Sequence, residues 1–189
     1  SIIVYGSGKI GEDRIIQYDT PLTPDNFYGD SKKQAEIKIR PLEDERFKIV
    51  ILRPPMIYGP NSKGNYPLLE KFAKKTPVFP TLKNQRSMLF IGNLVNFVKL
   101  MIDNEESGVF LPQNEEYVSS YELVKEIAGL NHHKILFTGI FNPLIKLFHK
   151  HVYINKVFGN LTIDMELSRY KEEYCKYSFE ESVKITEAV

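Results

Sequence analysis

The sequence predicts an α/β fold organised around a parallel sheet. One observation is the alternation of strand, helix and strand over residues 1–52, which is typical of parallel pairing. A second is the nearly continuous apolar run Phe47–Leu52, as expected of a strand buried on both faces. A third is the hydrophobic content of 42% over 189 residues, which is enough for a substantial core.

The first part of the chain divides into short elements separated by turn residues. Residues 1–5 predict a strand, and a loop rich in glycine and proline follows it as far as Asn26. Helix propensity favours a helix from about Gly29, which Pro41 ends. After the strand at 47–52, a loop is predicted by four turn residues: Pro54, Pro55, Gly59 and Pro60.

The second part of the chain continues the alternation of helices and strands. In order, we expect a helix over 66–74, a strand over 88–91, a helix over 94–102, and strands over 109–111 and 135–137. Asn93 is a candidate N-cap for the second of these helices. Ser119 and Glu122 have the spacing of a capping box for a helix through Ala128. The remaining residues are predicted to be helical, with a last helix over 179–187.

The composition excludes several classes of protein. The 25 basic and 24 acidic residues are mixed along the chain, so there is no electrostatic footprint for nucleic acid. The single cysteine, Cys175, excludes an internal disulfide and is expected to be a small buried hydrophobe. No apolar run approaches the roughly 18 residues of a membrane span. These features predict a soluble, cytoplasmic protein.

Two features resemble ligand-binding motifs and are interpreted more simply. Gly6–Gly11 has the spacing of a dinucleotide fingerprint, but a polar stretch and a proline-rich loop follow it instead of an apolar helix. We therefore expect a plain glycine-rich loop. His132 and His133 are adjacent, so on a strand they point to opposite faces, and no metal site is expected there.

Tyr28 and Lys32 are the residues that most directly indicate chemistry. Positions four apart share one face of a helix, so the Lys32 ammonium can lie beside the Tyr28 phenol. A neighbouring cation favours the phenolate and is expected to lower the tyrosine pKa from its usual value of about 10. Such a tyrosine can act as a general acid or base on a substrate hydroxyl. On its own, this spacing is also common on solvated helix faces.

Several ordered segments around this pair carry a family resemblance. The segments are Ser1–Gly6, Tyr28–Glu36, Leu52–Pro60, Lys63–Tyr66 and Arg86–Leu94. Together they resemble the extended short-chain dehydrogenase/reductases, the sugar-nucleotide epimerase/dehydratase family, over roughly residues 1–128. The resemblance is greatest to UDP-sugar 4-epimerases and 4-keto-sugar reductases of bacterial surface-polysaccharide synthesis.

The resemblance implies a fold and a division into domains. It predicts the C-terminal part of a Rossmann-type parallel sheet together with a small mixed α/β substrate domain. Residues 1–62 would belong to the NAD(P)-binding domain and 63–189 mainly to the substrate domain, with 86–112 returning to the Rossmann sheet. The chain starts without methionine inside an apolar run. We therefore expect it to be the C-terminal part of a longer protein, unable to hold NAD alone.

The resemblance also implies roles for individual residues. Ser1 would hydrogen-bond the reacting sugar oxygen, Tyr28 would transfer its proton, and Lys32 would hold the nicotinamide ribose. Pro55 and Ile57 would lie against the nicotinamide. Two further residues would contact the nucleotide sugar: Asn65, and Arg86 on its diphosphate. A cap or turn role for Asn65 and a surface salt bridge for Arg86 are the simpler alternatives.

The function implied is NAD(P)-dependent 4-epimerisation of a UDP-sugar, through hydride transfer at C4 and a 4-keto intermediate. A 4-keto-sugar reductase is the first alternative, because Met56 stands where many such epimerases carry asparagine. The second alternative is a substrate-domain fragment without catalytic activity. NAD or NADP would be the cofactor, and a homodimer is compatible with the resemblance.

Residues 141–158 form a segment of different character. Four basic residues interrupt its apolar sequence at intervals that leave one apolar face. They are Lys146, His149, Lys150 and His151. A basic amphipathic helix of this kind can bind a membrane surface. We expect it instead to pack on its own domain or against another subunit.

Overall fold

In a computed structural model, which describes residues 1–149 and 151–188, the chain forms paired parallel strands surrounded by helices. The eight strands of the described residues are β1 (Ile15–Ile16), β2 (Val50–Leu52), β3 (Met56–Tyr58), β4 (Val78–Pro80), β5 (Met88–Phe90), β6 (Gly108–Phe110), β7 (Leu136–Thr138) and β8 (Thr162–Ile163). They pair as β1–β8, β2–β6, β3–β5 and β4–β7, every pair being parallel. The predicted α/β class with parallel pairing is confirmed, although these pairs are short and separate.

Seven helices connect and cover the strands in the described part of the chain. They are α1 (Phe27–Ile39), α2 (Tyr66–Lys75), α3 (Ile91–Asp103), α4 (Ser120–Leu130), α5 (Asn142–Leu147), α6 (Val152–Phe158) and α7 (Phe179–Glu187). The predicted capping box is present at α4, where the Ser119 and Glu122 side chains each bond the other's backbone nitrogen. The helix predicted over 66–74 is also confirmed, because α2 occupies that position.

Several sequence predictions were wrong in detail. The strand predicted over 47–52 begins only at Val50, and the loop predicted after it contains β3. Residues Ile2–Tyr5 form a 3₁₀ turn and not a strand, because their backbone nitrogens bond locally, as from Val4 to Ser1 and from Gly6 to Ile3. Asn93 does not cap α3, which begins at Ile91. Its buried amide oxygen instead accepts hydrogen bonds from the backbone nitrogens of Lys176 and Tyr177, at 2.9 and 3.1 Å. The strand predicted over 135–137 is present as β7, but the residues after it are less helical than expected, since they contain β8 and long irregular stretches.

The largest core cluster lies between the strand pairs and helices α2, α4 and α7. Its members include Tyr58, Leu69, Leu123 and Val183, all at most 1% exposed. Burial raises the pKa of the Tyr58 phenol to about 12, while its oxygen contacts Ser182 Oγ at 2.5 Å. Cys175 is half-buried beside a second cluster, and burial raises the pKa of its thiol to about 12. This thiol is therefore protonated and unreactive at neutral pH.

Candidate active site

Tyr28 and Lys32 lie together on the exposed face of α1. The helix starts where Asn26 Oδ1 accepts the backbone N–H of Gly29 at 2.9 Å. One turn later, the Lys32 Nζ lies 5.3 Å from the centroid of the Tyr28 ring. Tyr28 is 57% exposed, so its ring can contact a ligand. The predicted shared helix face is therefore present, whereas the catalytic role stays a prediction.

Gly29 allows α1 to approach the turn at Ile2–Tyr5 closely. A Cβ at this position would lie 2.7 Å from the Ile3 carbonyl oxygen and 2.9 Å from Pro24 Cβ. Both distances are shorter than real Cβ contacts, so only glycine fits here without displacement of the neighbours. The residue following Tyr28 thus fixes the distance between the tyrosine helix and the segment that carries Ser1.

Gly29→Ala is expected to destabilise the protein by about 1–3 kcal/mol, because the clash outweighs the gain in helix propensity. Equilibrium unfolding in urea measures the change. Gly129→Ala on α4 is the matched control, since no atom lies within 4 Å of its added Cβ. The control should be neutral or stabilising, and similar destabilisation of both variants would contradict the close-approach argument.

Ser1 lies beside the carboxyl end of β2. Its backbone nitrogen donates to the Leu52 carbonyl at 2.8 Å, and the next nitrogen, that of Ile2, donates to Pro54 at 3.0 Å. The segment that begins at Ser1 also lies against α1, because Gly29 approaches the Ile3 carbonyl closely.

A buried ion pair, which sequence reasoning missed, joins α1 to the end of β2. The Arg53 guanidinium donates to the Glu36 carboxylate, with Nη2 at 2.6 Å and Nε at 3.1 Å from Oε2. It also donates to the Tyr5 hydroxyl at 2.6 Å. Burial acts to lower the pKa of Arg53, but the hydrogen bonds and charge interactions with Glu36 and Tyr5 together outweigh it and raise the pKa. Glu36 follows Lys32 by four residues, so the pair anchors the face that carries Lys32 and Tyr28.

Pro55 and Ile57 lie on the segment that follows Arg53. Pro55 is buried, whereas Ile57, in the middle of β3, keeps 36% of its surface exposed. An exposed aliphatic side chain next to the carboxyl end of a strand can contact a flat, weakly polar ring. The structure thus places Ser1, Tyr28, Lys32 and this segment around the end of β2.

Asn65 and Arg86 lie on other elements, and no contact joins them to Tyr28. Asn65 occupies the N-cap position of α2, but its side chain makes no capping hydrogen bond. The simpler cap role is therefore not observed. Arg86 Nη1 donates to the Lys156 and Val157 carbonyls at 2.5 and 3.3 Å. Burial lowers the pKa of this guanidinium to about 10.

Arg86 and Lys32 share an important property. Among residues 1–149 and 151–188, neither forms a salt bridge. The surface salt bridge considered for Arg86 is thus not observed. Arg86 is partly buried as a residue, and its guanidinium bonds carbonyls, so no carboxylate among the described residues neutralises its charge.

Comparison with known proteins decides the family. The model of the NAD dependent epimerase/dehydratase family matches residues 1–115, which is more than half of the chain. The chain belongs to this family. All the elements that carry Ser1, Tyr28, Lys32, Asn65 and Arg86 lie inside the matched range.

Two curated relatives and one solved structure illustrate the similarity. The chain is 35% identical over 111 residues to a UDP-glucose 4-epimerase of Vibrio cholerae, covering 56% of the chain and 34% of the relative. It is 34% identical over 113 residues to the N-acetyl-α-D-glucosaminyl-diphospho-ditrans,octacis-undecaprenol 4-epimerase of Escherichia coli O157:H7, covering 57% and 33%. The aligned region thus spans about a third of each curated relative.

The solved structure is the dTDP-glucose 4,6-dehydratase of Bacillus anthracis in complex with NAD. It superposes with a TM-score of 0.67 and 18% identity, covering 98% of this chain and 58% of that one. At this identity the likeness concerns the fold, and it confirms the Rossmann-type α/β prediction. The helices of the described residues include none long and apolar enough to cross a membrane.

The residues present fit the nicotinamide cofactor that the family uses. Lys32 offers an ammonium without an ion-pair partner in the described chain, which suits ribose hydroxyls. Ile57 offers an exposed aliphatic surface for the ring. The loop Gly6–Gly11, in contrast, leads into β1 and not into a helix, and the next helix along the chain begins at Phe27. The structure therefore shows no phosphate-binding helix at this loop.

Proposed function

We propose that this chain supplies the acid–base centre and the substrate-binding side of an NAD(P)-dependent sugar-nucleotide 4-epimerase. The observation that carries the proposal is the Lys32 ammonium over the exposed Tyr28 ring, on a helix held against Ser1 and the end of β2. A tyrosine placed on an exposed helix face beside a cation can act as general acid or base on a substrate hydroxyl.

The division of roles follows from the chemistry of each group. When bound, the nicotinamide would supply reversible hydride transfer at C4 of the hexose. Tyr28 would take the proton of the C4 hydroxyl when the sugar is oxidised, and would return it when the 4-keto sugar is reduced on its other face. The Ser1 hydroxyl donates a hydrogen bond to the same oxygen. Lys32 holds the ribose beside Tyr28.

Arg86 is proposed to bind the diphosphate of the nucleotide sugar. A planar guanidinium can donate two parallel hydrogen bonds to phosphate oxygens, and this one has no carboxylate partner among the described residues. Its bonds to the Lys156 and Val157 carbonyls fix its position without neutralising its charge. Asn65, whose side chain does not cap α2, is proposed to contact the sugar nucleotide as well.

Arg86→Ala is expected to weaken UDP binding by about tenfold to a hundredfold, the effect of losing charge-assisted hydrogen bonds. Titration calorimetry with UDP measures it. Arg86→Lys keeps the charge but not the planar fork and should give an intermediate loss. Lys83→Ala, which removes an exposed cation nearby, is the control. If Arg86→Ala and the parent protein bound UDP with equal affinity, Arg86 would not bind the diphosphate.

The activity itself is tested with the natural polypeptide that carries this chain. It is incubated with NAD and UDP-glucose, with UDP-N-acetylglucosamine, with a nucleotide 4-keto sugar, and with N-acetylglucosaminyl-diphospho-undecaprenol, the type of compound named for the E. coli relative. An epimerase interconverts the C4 epimers without net use of cofactor. Stoichiometric consumption of NAD(P)H with the keto sugar would instead establish the reductase. Turnover of none of these compounds would refute the proposal.

The cofactor is addressed by a separate measurement. Calorimetry with NAD and NADP, on residues 1–189 and on the natural polypeptide, compares their affinities. Tight NAD binding by residues 1–189 would overturn the expectation that this segment alone cannot hold the cofactor.

The homodimer and the cytoplasmic location also stay predictions. Light scattering tests the homodimer, and cell fractionation tests the location.

A further inference from the structure

Residues 140–149 and 151–153, here called the apolar–basic segment, expose an unusual amount of apolar surface. Leu144, Leu147 and Ile140 are 53%, 72% and 81% exposed, and Phe141, Phe148, Val152 and Tyr153 are exposed as well. No residue of α5 is buried. These side chains do not pack on their own domain, whereas the other expected arrangement, a contact with another subunit, stays a prediction. Lys150 lies outside the described residues.

The exposed apolar side chains follow one helical face. Phe141, Leu144 and Phe148 are spaced three and four residues apart, and Leu147 extends the same face. Lys146 and His149 occupy the opposite side of the wheel. The predicted single amphipathic helix is instead two short helices, α5 and α6, with a break between them. This break leaves Val152 and Tyr153 exposed at the start of α6.

The charged residues that neighbour the segment in the sequence have one sign. Residues 127–163 contain no Asp or Glu, although the chain has 24 acidic residues, and they contain all four histidines. Lys156 Nζ lies 5.5 Å from the centroid of the exposed Tyr153 ring. Asp13 is an acidic residue from a distant part of the chain that reaches this region. Its Oδ1 accepts a hydrogen bond from Asn160 Nδ2 at 3.0 Å, beyond the end of α6. The segment itself combines apolar residues with basic ones.

We propose that the apolar–basic segment docks on the surface of an anionic lipid bilayer. Short amphipathic helices with basic polar faces lie in the plane of the membrane interface, where apolar side chains enter the acyl boundary and cations face the lipid phosphates. Tyr153 suits this depth because tyrosine is enriched at the interface. The site would bring the substrate domain to the membrane without a spanning helix.

A second copy of this chain is a less suitable occupant. A two-fold interface brings the same patch of two copies together, so the lysines and histidines of one copy would face those of the other. With no Asp or Glu in 127–163, neither copy offers this face a carboxylate from its own segment. Lysine is also depleted in protein interfaces, whereas an anionic membrane complements it.

The test is vesicle flotation of the natural polypeptide, with vesicles of phosphatidylcholine alone or mixed with phosphatidylglycerol. We expect binding to the anionic vesicles that added salt weakens. The double variant L144Q/L147Q should lower the partition coefficient about tenfold, the effect of losing two interfacial leucines. Lys146→Glu should lower it to a similar extent through charge alone.

The matched control is V95Q/I102Q, which changes two exposed apolar residues on the outer face of α3. It should bind like the parent protein. Circular dichroism checks that each variant folds. If L144Q/L147Q does not fold, Lys146→Glu alone still tests vesicle binding. No binding to anionic vesicles, or equal binding of the parent, leucine and lysine variants, would overturn the proposal. So would light scattering that shows a dimer converted to a monomer by L144Q/L147Q.

Discussion

Tyr28→Phe is expected to lower turnover of the natural polypeptide about a hundredfold to ten-thousandfold, the usual contribution of a positioned general acid or base. The variant removes one oxygen atom from a side chain that is 57% exposed, so folding should be unaffected. The substrate affinity should change little, because the phenol acts on the proton that moves during the reaction. Steady-state rates with the substrate identified in the activity assay measure the effect.

Two controls make this prediction specific to the site. Tyr18→Phe removes the same atom from a tyrosine that is 94% exposed, and it should react at the parental rate. Lys33→Met changes a lysine whose Nζ donates to the Leu22 carbonyl, and it should have a smaller effect than Lys32→Met. A Tyr28→Phe variant within a few fold of the parent rate would mean that this tyrosine does not transfer the proton.

The proximity of Tyr28 and Lys32 could be predicted because the relative position of two residues on one helix depends only on their spacing. The spacing of Tyr28 and Lys32 fixes their shared face regardless of how the rest of the chain folds. The capping box at Ser119 and Glu122 is local in the same way, and both side-chain contacts are present. The parallel class of the strands also follows from local sequence, since long helical connections separate the apolar runs.

The misplaced elements depend on contacts that local sequence does not contain. Residues Ile2–Tyr5 have the composition of a buried strand, but their nitrogens bond within the turn and to the end of β2. Asn93 has the identity of a cap, yet it satisfies backbone groups more than eighty residues away. The strand β4 was not predicted, because its three residues end in a proline and form a ladder only with β7.

The ion pair between Arg53 and Glu36 was the main residue pair that sequence reasoning missed. Both residues lie inside segments that carry the family resemblance, but charged residues are usually exposed, so their burial could not be expected from residue type. One signal was available: Glu36 continues the spacing of Tyr28 and Lys32 by another four residues. On the face of α1 that carries Tyr28 and Lys32, Glu36 is the one buried acidic residue.

Arg53→Met is expected to destabilise the protein by about 3–5 kcal/mol, because it leaves the Glu36 carboxylate buried without its cation. The side chains of the pair are 8% and 10% exposed, so water cannot replace the lost hydrogen bonds. The Tyr5 hydroxyl loses its contact as well. The free energy of unfolding in urea measures the change, and α1 should lose its fixed position against β2.

The control and the compensating variant separate burial from charge. Arg169→Met breaks a pair with Glu166 whose side chains are 76% and 66% exposed, and it should cost at most about 1 kcal/mol. The double variant R53M/E36L replaces the buried pair by apolar side chains and should recover most of the stability lost by Arg53→Met. If the double variant were no more stable than the single one, the loss would come from packing and not from an unpaired buried charge. Recovered stability with low turnover would show instead that the pair serves to orient the face of α1 that carries Tyr28 and Lys32.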